Sequence, residues 1–259
     1  MLRNRIIFSL IYSNGFFHQS RNFQLQKVGN LEWLENFYKF HKIAFSIDEL
    51  LIVNANKSTK DVNEFSLNVS KIVNNVFVPI TAGGGIRNMS DAELLFKNGA
   101  DKIILNTSLI ENQNLIKDLI LNYGSQSIVA SLDYKTINQE IIFFNNDGKN
   151  KIMMSFEDYV SHVQSLNIGE ILLNSIDKDG TGFGYDFESI DKISKIITVP
   201  LIIMGGAGNQ QHLLNGLNRY NVNAVATANL FNFIGDGLPK AREWLLENRL
   251  NISKWKKHD

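Results

Sequence analysis

Short, almost wholly apolar runs rich in β-branched residues recur along the chain, at 5–11, 49–54, 78–83, 102–106, 127–133, 170–175, 200–205 and 223–227. Each gives way to a longer stretch whose apolar positions return every three or four residues, around 31–44, 63–75, 89–98, 110–122, 154–166, 187–196, 210–218 and 237–248. The runs are too short for helices and too uniformly apolar for strands with one wet face, so they predict strands buried on both faces. The longer stretches predict amphipathic helices. Strict alternation of the two implies parallel pairing with the helices outside. Eight such units in 259 residues fit a closed (β/α)8 TIM barrel. An open, doubly wound sheet is the alternative.

The pattern also repeats. Ser9-Leu10-Ile11-Tyr12 matches Ser131-Leu132-Asp133-Tyr134 at an offset of 122, and Glu49-Leu50-Leu51-Ile52 matches Glu170-Ile171-Leu172-Leu173 at 121. Val78-Pro79 followed by Gly84-Gly85 matches Val199-Pro200 followed by Gly205-Gly206, again at 121. Four strand–helix units per half close into a barrel with a two-fold repeat, whereas an open sheet has no reason to repeat. No linker or shift of composition separates the halves. One domain over residues 1–259 is expected, with half-barrels at about 1–122 and 123–250.

Two inserts occupy the same place in each half, residues 12–30 and 134–152. The second reads as a hairpin, with Ile141-Ile142-Phe143-Phe144, a turn at Asn146-Asp147-Gly148, and Ile152-Met153-Met154 returning. Both inserts should hang over the C-terminal ends of the strands, where barrel enzymes keep substrate loops.

Composition removes several functions. Lys plus Arg and Asp plus Glu are both 26, so the net charge of zero gives no general pull toward nucleic acid or an anionic membrane. There are no cysteines, which excludes disulfides, thiolate metal sites and a cysteine nucleophile. No apolar run approaches the roughly 18 residues of a membrane span, and the apolar stretch near the start lacks a cleavage signature. A cytoplasmic protein with no metal and no cofactor is expected. The abundance of Asn and Ile reflects genome composition rather than function.

Candidate chemistry lies at both ends of the strands. Strand three ends in Gly83-Gly84-Gly85 and strand seven in Gly205-Gly206-Ala207-Gly208. Glycine lets backbone N–H groups turn toward an anion. The next strand in each half ends in small polar residues, Asn106-Thr107-Ser108 and Ala226-Thr227-Ala228-Asn229. Together these make the usual barrel phosphate site after strands seven and eight, and the repeat predicts a second after strands three and four. A substrate phosphorylated at both ends would then lie across the mouth. The plainer reading is that the glycines serve only tight turns. Asp133 ends strand five, a position for a general acid or base, or for a carboxylate that caps the next turn. Its repeat-mate is Ile11, which cannot transfer a proton. Asp177 and Asp179 follow strand six and could orient substrate hydroxyls, or merely solvate a glycine-containing loop. At the opposite end, Arg5, Glu49, Lys102 and Glu170 begin strands one, two, four and six. Either they form ordinary surface ion pairs, or a ring of four around the axis that plugs or gates the floor.

The motifs Ala82-Gly83-Gly84-Gly85-Ile86, Gly99-Ala100-Asp101-Lys102, Gly124-Ser125-Gln126, Ser175-Ile176-Asp177-Lys178-Asp179-Gly180-Thr181, Gly184-Tyr185-Asp186 and Gly205-Gly206-Ala207-Gly208 occur here in order. Over essentially its whole length the chain resembles the synthase (cyclase) subunit of imidazole glycerol phosphate synthase, from histidine biosynthesis. The resemblance implies a glutaminase partner docked on the N-terminal face of the barrel. Ammonia would enter there, through a gate of Arg5, Glu49, Lys102 and Glu170, and meet a phosphorylated small molecule at the top. Asp101 matches a position facing the glutaminase. Asp133 matches one of two catalytic aspartates. Gly84, Gly85, Asn106, Thr107, Ser175, Asp179, Gly180, Gly205, Gly206, Ala228 and Asn229 match the phosphate- and substrate-binding set. The absence of cysteine agrees, because a cysteine-dependent glutaminase must then be another chain.

Departures cluster on the first half of the catalytic face. The other catalytic aspartate falls at Ile11, the substrate-loop lysine at Gln19, its neighbouring glycine at Ser20, and an aspartate ending strand two at Asn54. The pattern resembles diverged paralogues found with surface-polysaccharide genes. In those, such a barrel, a glutaminase and a third, amidotransferase protein convert an acetamido group on a nucleotide-activated sugar to an acetamidino group. The expectation is therefore an ammonia-using subunit, with sugar amidation preferred over imidazole glycerol phosphate formation. A non-catalytic, ammonia-conducting scaffold and a phosphate-sugar isomerase barrel are the alternatives. The isomerase would normally use paired carboxylates, which Ile11 breaks.

Overall fold

The computed structural model describes residues 3–255 other than Lys39 and Thr59, and leaves out the side chains of His41 and Lys42. The outermost parts of the expected domain, residues 1–2 and 256–259, therefore lie outside the described residues. In chain order the strands are β1 (Arg5–Ser13), β2 (Phe16–Arg21), β3 (Gln24–Gly29), β4 (Glu49–Asn54), β5 (Ile80–Gly83), β6 (Lys102–Leu105), β7 (Ile128–Ile137), β8 (Glu140–Asn145), β9 (Asn150–Lys151), β10 (Glu170–Ser175), β11 (Leu201–Met204) and β12 (Val222–Thr227). The helices are α1 (Leu31–Tyr38), α2 (Phe40–Ile43), α3 (Val62–Val73), α4 (Met89–Lys97), α5 (Ser108–Glu111), α6 (Gln113–Tyr123), α7 (Phe156–Ser165), α8 (Phe187–Ile193), α9 (Gln210–Leu217) and α10 (Gly237–Glu247).

Eight strands, β1, β4, β5, β6, β7, β10, β11 and β12, pair in parallel in that order, and β12 pairs with β1 to close the ring. The closed parallel barrel expected from the alternating pattern is present, and the open sheet is not. All eight predicted strands occur. The predicted helix around 110–122 is split at Asn112. Asn112 accepts a hydrogen bond from Leu115 N and starts α6 afresh. The chain's many Asn residues recur as caps: Asn88 and Asn209, at the same place in each half, begin α4 and α9 by accepting from Asp91 N and His212 N.

Alternation along each barrel strand separates two apolar layers. Ile6, Phe8 and Leu10 of β1 face outward and pack beneath the helices. Ile7 faces inward and meets Leu51, Ile104, Val129, Leu172 and Ile202 in the barrel interior. Burying each such side chain contributes roughly 1.5–3 kcal/mol. Among the described residues, no helix is long and apolar enough to cross a membrane.

The inserts are hairpins. The first turns at Asn14-Gly15, which sends β2 back along β1, and again at Asn22-Phe23, which leads to β3. All four residues have positive φ (49°, 78°, 50° and 63°), as two-residue turns between twisted strands require. The second insert differs from its expectation. Strand β7 runs on past Asp133 to Ile137, turns at Asn138-Gln139 (φ 52° and 68°), and pairs with β8. The Asn146-Asp147-Gly148 turn exists, but only Asn150–Lys151 pair back to β8. Ile152-Met153-Met154 is not a strand. Ser155 caps α7 immediately afterwards, and Met153 is 84% exposed, so nothing there calls for a further ladder.

Candidate functional site

The barrel axis reads as three layers. At the bottom, Arg5 bonds Glu49 at 2.9 Å and Glu170 twice at 3.1 Å, while Lys102 bonds Glu49 at 3.0 Å and Glu170 at 3.2 Å. Two cations and two carboxylates thus close a ring, and Thr81 adds a hydroxyl to Glu49. Glu49 is buried, and its negative neighbour Glu170 and both cations are partly buried. Glu49 and Glu170 raise the Arg5 pKa against the opposing cost of burial. Desolvated charges persist only when each has partners, and here each cation has both carboxylates. The four charges that begin their strands are therefore one cluster, not separate surface pairs.

Asp101 also lies at this end and is exposed. Its carboxylate accepts from Ile80 N at 2.8 Å, capping the start of the neighbouring strand. Asp48 does the same for Ile6, and Asn223 for Leu201. Asp101 thus has a structural task whatever else it touches.

Above the ring comes the apolar interior layer, and above that a cavity of about 580 Å3 at the C-terminal ends of the strands. Asp133 lines it, 8% exposed. Asn174 donates to Asp133 Oδ1 at 3.1 Å, Asn106 to Oδ2 at 3.3 Å, and Ser131 to Oδ1 at 3.3 Å. Burial raises its pKa to about 7, against the lowering effect of the Asn174 and Ser131 bonds. Its bonds are to Ser131 of its own strand and to the ends of the two neighbouring barrel strands, not to the next turn, so it does not act as a turn cap. A carboxyl group titrating near neutrality, at the end of a barrel strand, suits proton transfer in either direction. Ile11 lines the same cavity, 9% exposed.

The glycine loops fold alike but enclose different spaces. Gly84 and Gly85 have φ of 102° and 90°, and Gly205 and Gly206 have 98° and 105°. The first pair, with Asn106, Thr107 and Ser108, opens into the large cavity. Lys57, Lys60, Arg87 and Lys149 line that same cavity. The second pair, with Ala228 and Asn229, borders a space of about 10 Å3 that includes no lysine or arginine. That is room for about one water molecule. Gln19 lies there too, and its Oε1 accepts from Leu230 N at 2.9 Å. Asn229 N bonds Thr227 Oγ1, and Thr227 in turn bonds the Ala207 carbonyl.

Asp177 and Asp179 hold the inserts. Asp179 is buried, accepts from the Ser20 hydroxyl and from Phe23 N at 3.0 Å, and has its pKa raised by burial. Asp177 accepts from Thr136 N at 2.9 Å. Gly180 packs so tightly on the first hairpin that a Cβ there would lie 1.9 Å from the Ser20 carbonyl oxygen. Ser175, also buried, accepts from Lys178 N at 3.4 Å. Asn54 is buried and folds back to accept from Asn56 N.

Three residues were not singled out from the sequence. Asn174 holds Asp133, and an amide inside an otherwise apolar run, two positions beyond Leu172, was its signal. Lys60 and Asp147 form an ion pair at 2.6 Å across the cavity mouth. They come from two loops with no periodic pattern. Among the described residues no group of three or more His, Cys, Asp or Glu is placed to hold a metal.

The match to known proteins covers the same ground as this geometry. The family model described as "Histidine biosynthesis protein" matches residues 27–235. The chain belongs to that family. It is 42% identical over 256 residues, 98% of this chain and 95% of the relative, to a protein of Parasynechococcus marenigrum (strain WH8102) provisionally named imidazole glycerol phosphate synthase subunit hisF2. It is 33% identical to the imidazole glycerol phosphate synthase subunit HisF of Pelodictyon phaeoclathratiforme and 34% to that of Chlorobium phaeovibrioides, in each case over 97% of this chain and 99% of the relative. This is a HisF-type cyclase subunit with the whole barrel present.

Proposed function

We propose that the chain is the synthase-type subunit of a glutamine-dependent amidotransferase complex, taking ammonia from a HisH-like glutaminase at the floor and delivering it to a phosphorylated acceptor at the mouth. The observation that carries this reading is the stacking of three layers on one axis: an ionic ring, an apolar sleeve, and an anion-ready cavity holding a carboxyl group of pKa about 7. The apolar sleeve admits neutral ammonia and resists ammonium, because an unpaired charge is costly in such surroundings. Arg5, Glu49, Lys102 and Glu170 act as the gate. Asp101 stands on the partner's side of it.

Asp133 is the catalytic group. As ammonia adds to an electrophilic carbon, its nitrogen must lose a proton and the departing oxygen must gain one. A carboxyl near half-ionisation at neutral pH serves both needs, accepting from nitrogen and donating to oxygen. Asn106 and Asn174 orient it.

Ile11 and Gln19 favour acetamidino formation on a nucleotide sugar over closure of an imidazole ring. In that reaction a third protein of the amidotransferase complex activates the acetamido carbonyl oxygen with a nucleoside triphosphate, ammonia takes that oxygen's place on carbon, and the oxygen leaves on the transferred phosphoryl or nucleotidyl group. A second reading, imidazole glycerol phosphate formation itself, is favoured by the names of the HisF relatives. A non-catalytic scaffold is disfavoured by the burial and three polar partners of Asp133.

The test is an assay of the complex with a HisH-type glutaminase, offering either the histidine-pathway precursor or an acetamido nucleotide sugar. The proposal predicts weak activity on the precursor, rising with Ile11→Asp and Gln19→Lys together. Efficient rescue of a histidine auxotroph by the unaltered chain would overturn the preference for sugar amidation.

A further inference from the structure

The cavity at the mouth reaches down to the apolar sleeve. Leu51, Ile104 and Leu172 belong to the interior layer and also line the cavity. A molecule rising through the sleeve therefore meets first the polar groups one step above it. Side chains two positions apart on a strand share a face. Ser9 stands two positions beyond Ile7 on β1, and Asn174 two beyond Leu172 on β10, so both face inward over the sleeve. Both line the cavity.

The Ser9 hydroxyl and Asn174 Oδ1 are buried and have no hydrogen-bond partner among the described residues. Ser9 is 0% exposed and Asn174 9%. A buried polar atom without a partner costs stability, and folded proteins keep few of them. Here two lie just above the same apolar layer. The Asn174 amide has a set orientation, because its Nδ2 donates to Asp133 Oδ1 at 3.1 Å, which leaves Oδ1 as the acceptor.

The repeat accounts for Ser9. Its mate at the offset of 122 is Ser131, whose hydroxyl donates to Asp133 Oδ1 at 3.3 Å. Two positions past Ser9 stands Ile11, which offers no acceptor. Strands β1 and β7 are the first and fifth of a ring of eight, so they face each other across the axis. One serine is committed to the carboxyl group, and the opposite one is not.

Ammonia has three N–H groups and one lone pair. Two acceptors would satisfy two of its hydrogens and leave the lone pair unengaged. We infer that Ser9 and Asn174 form the seat where ammonia leaving the sleeve is held, each accepting one of its N–H groups, with the lone pair turned toward the acceptor substrate above. The inference rests on the reading of the barrel as an ammonia path, and adds to it a nitrogen-positioning role for Ser9. Asn174 bonds Asp133 through the same amide, so the nucleophile and the carboxyl group are placed relative to one another.

Hydroxylamine tests the seat directly. It is uncharged at pH 8, carries an NH2 group, and has two heavy atoms, so density distinguishes it from water. Crystals of the full chain soaked in it should show its nitrogen within hydrogen-bond distance of both Ser9 Oγ and Asn174 Oδ1, and Ser9→Ala crystals should not. In the complex with a HisH-type glutaminase, supplied with ammonium salt, Ser9→Ala should raise the KM for ammonia about fivefold, the loss of one hydrogen bond, with the KM for the acceptor substrate unchanged. Ser9→Cys keeps the shape but is a weak acceptor, and should behave as Ser9→Ala does. Ser9→Ala should melt no lower than the parent, because it removes an unpaired buried hydroxyl. Hydroxylamine seated elsewhere or equally in Ser9→Ala, an unchanged KM for ammonia, or a lowered melting temperature with both KM values raised alike would each overturn the inference. If neither acceptor substrate is turned over, the proposed function fails, and the soak still decides the seat.

Discussion

The two half-barrels divide what a symmetric barrel would duplicate. The first half has the roomy nest, its cavity lined by four cations and four carboxylates, and has Ile11 at the repeat position of Asp133. The second half has Asp133 with its three polar partners, and a nest filled by Gln19. Backbone geometry is nearly the same in both, down to the φ angles of paired glycines and the asparagine caps that follow them. The side chains that reach the glycines from elsewhere differ. A repeated fold therefore fixes where a site can be, and distant residues decide how open each copy is.

Four changes sharpen that comparison. The largest effect should come from Asp133→Asn, which keeps shape but removes proton transfer. Ammonia-dependent turnover should fall by roughly 100- to 10,000-fold, and an activity within threefold of the parent would return the chain to the scaffold reading. Next, Gly206→Ala should destabilise more than Gly85→Ala. Both positions have positive φ, but a Cβ at Gly206 meets the Gly184 carbonyl oxygen at 2.1 Å, whereas at Gly85 it meets the side chain of Lys60. Thermal melts should show a loss of about 3 kcal/mol or more for the first, and less for the second. Equal losses would mean that the two nests are packed alike.

Removing Arg5 should cost about 2–4 kcal/mol, because Glu49 and Glu170 would then share one lysine in a half-buried ring. Chemical denaturation of Arg5→Ala measures it, and an unchanged midpoint would mean that the ring is solvated. The last effect is a pH dependence. Asp133 has a folded pKa of about 7 against an ordinary value of 3.8, so the folded state holds more protons than the unfolded state between those values. Stability must therefore decline as pH rises through that window. Asp133→Asn should melt several degrees higher than the parent at pH 8 and nearly together with it at pH 4. Ile11→Asp, which places a second carboxyl in the same cavity, should enlarge the decline. A pH-independent difference would remove burial as the cause of the raised pKa.

Much of this was legible in the sequence because it depends on period and repeat. The eight strands announced themselves as apolar runs, the glycine doublets by recurrence at a fixed offset, and the ionic ring by charges at the first position of strands. Asp133 was visible as a carboxylate closing an apolar run. The rest depends on contacts that no local pattern encodes. Gln19 meets Leu230 across 211 positions, and Lys60 meets Asp147 across 87. The β7–β8 turn has a weak sequence signal, because Gln139 takes a positive φ more often seen for Asn or Gly, whereas Asn146-Asp147-Gly148 has a strong one. The glycine loops recur with the same backbone angles, but the spaces they border differ, about 580 Å3 against about 10 Å3, and no local pattern encodes that difference.

The central claim is that nitrogen reaches the cavity through the floor without mixing with the solvent. The assembled complex with a HisH-type glutaminase should be given glutamine labelled with 15N at the amide, in the presence of excess unlabelled ammonium, and the product analysed by mass. Passage through the ring predicts that nearly all product carries 15N, and that Arg5→Ala dilutes the label. A product whose label matches that of the bulk ammonium would contradict the account.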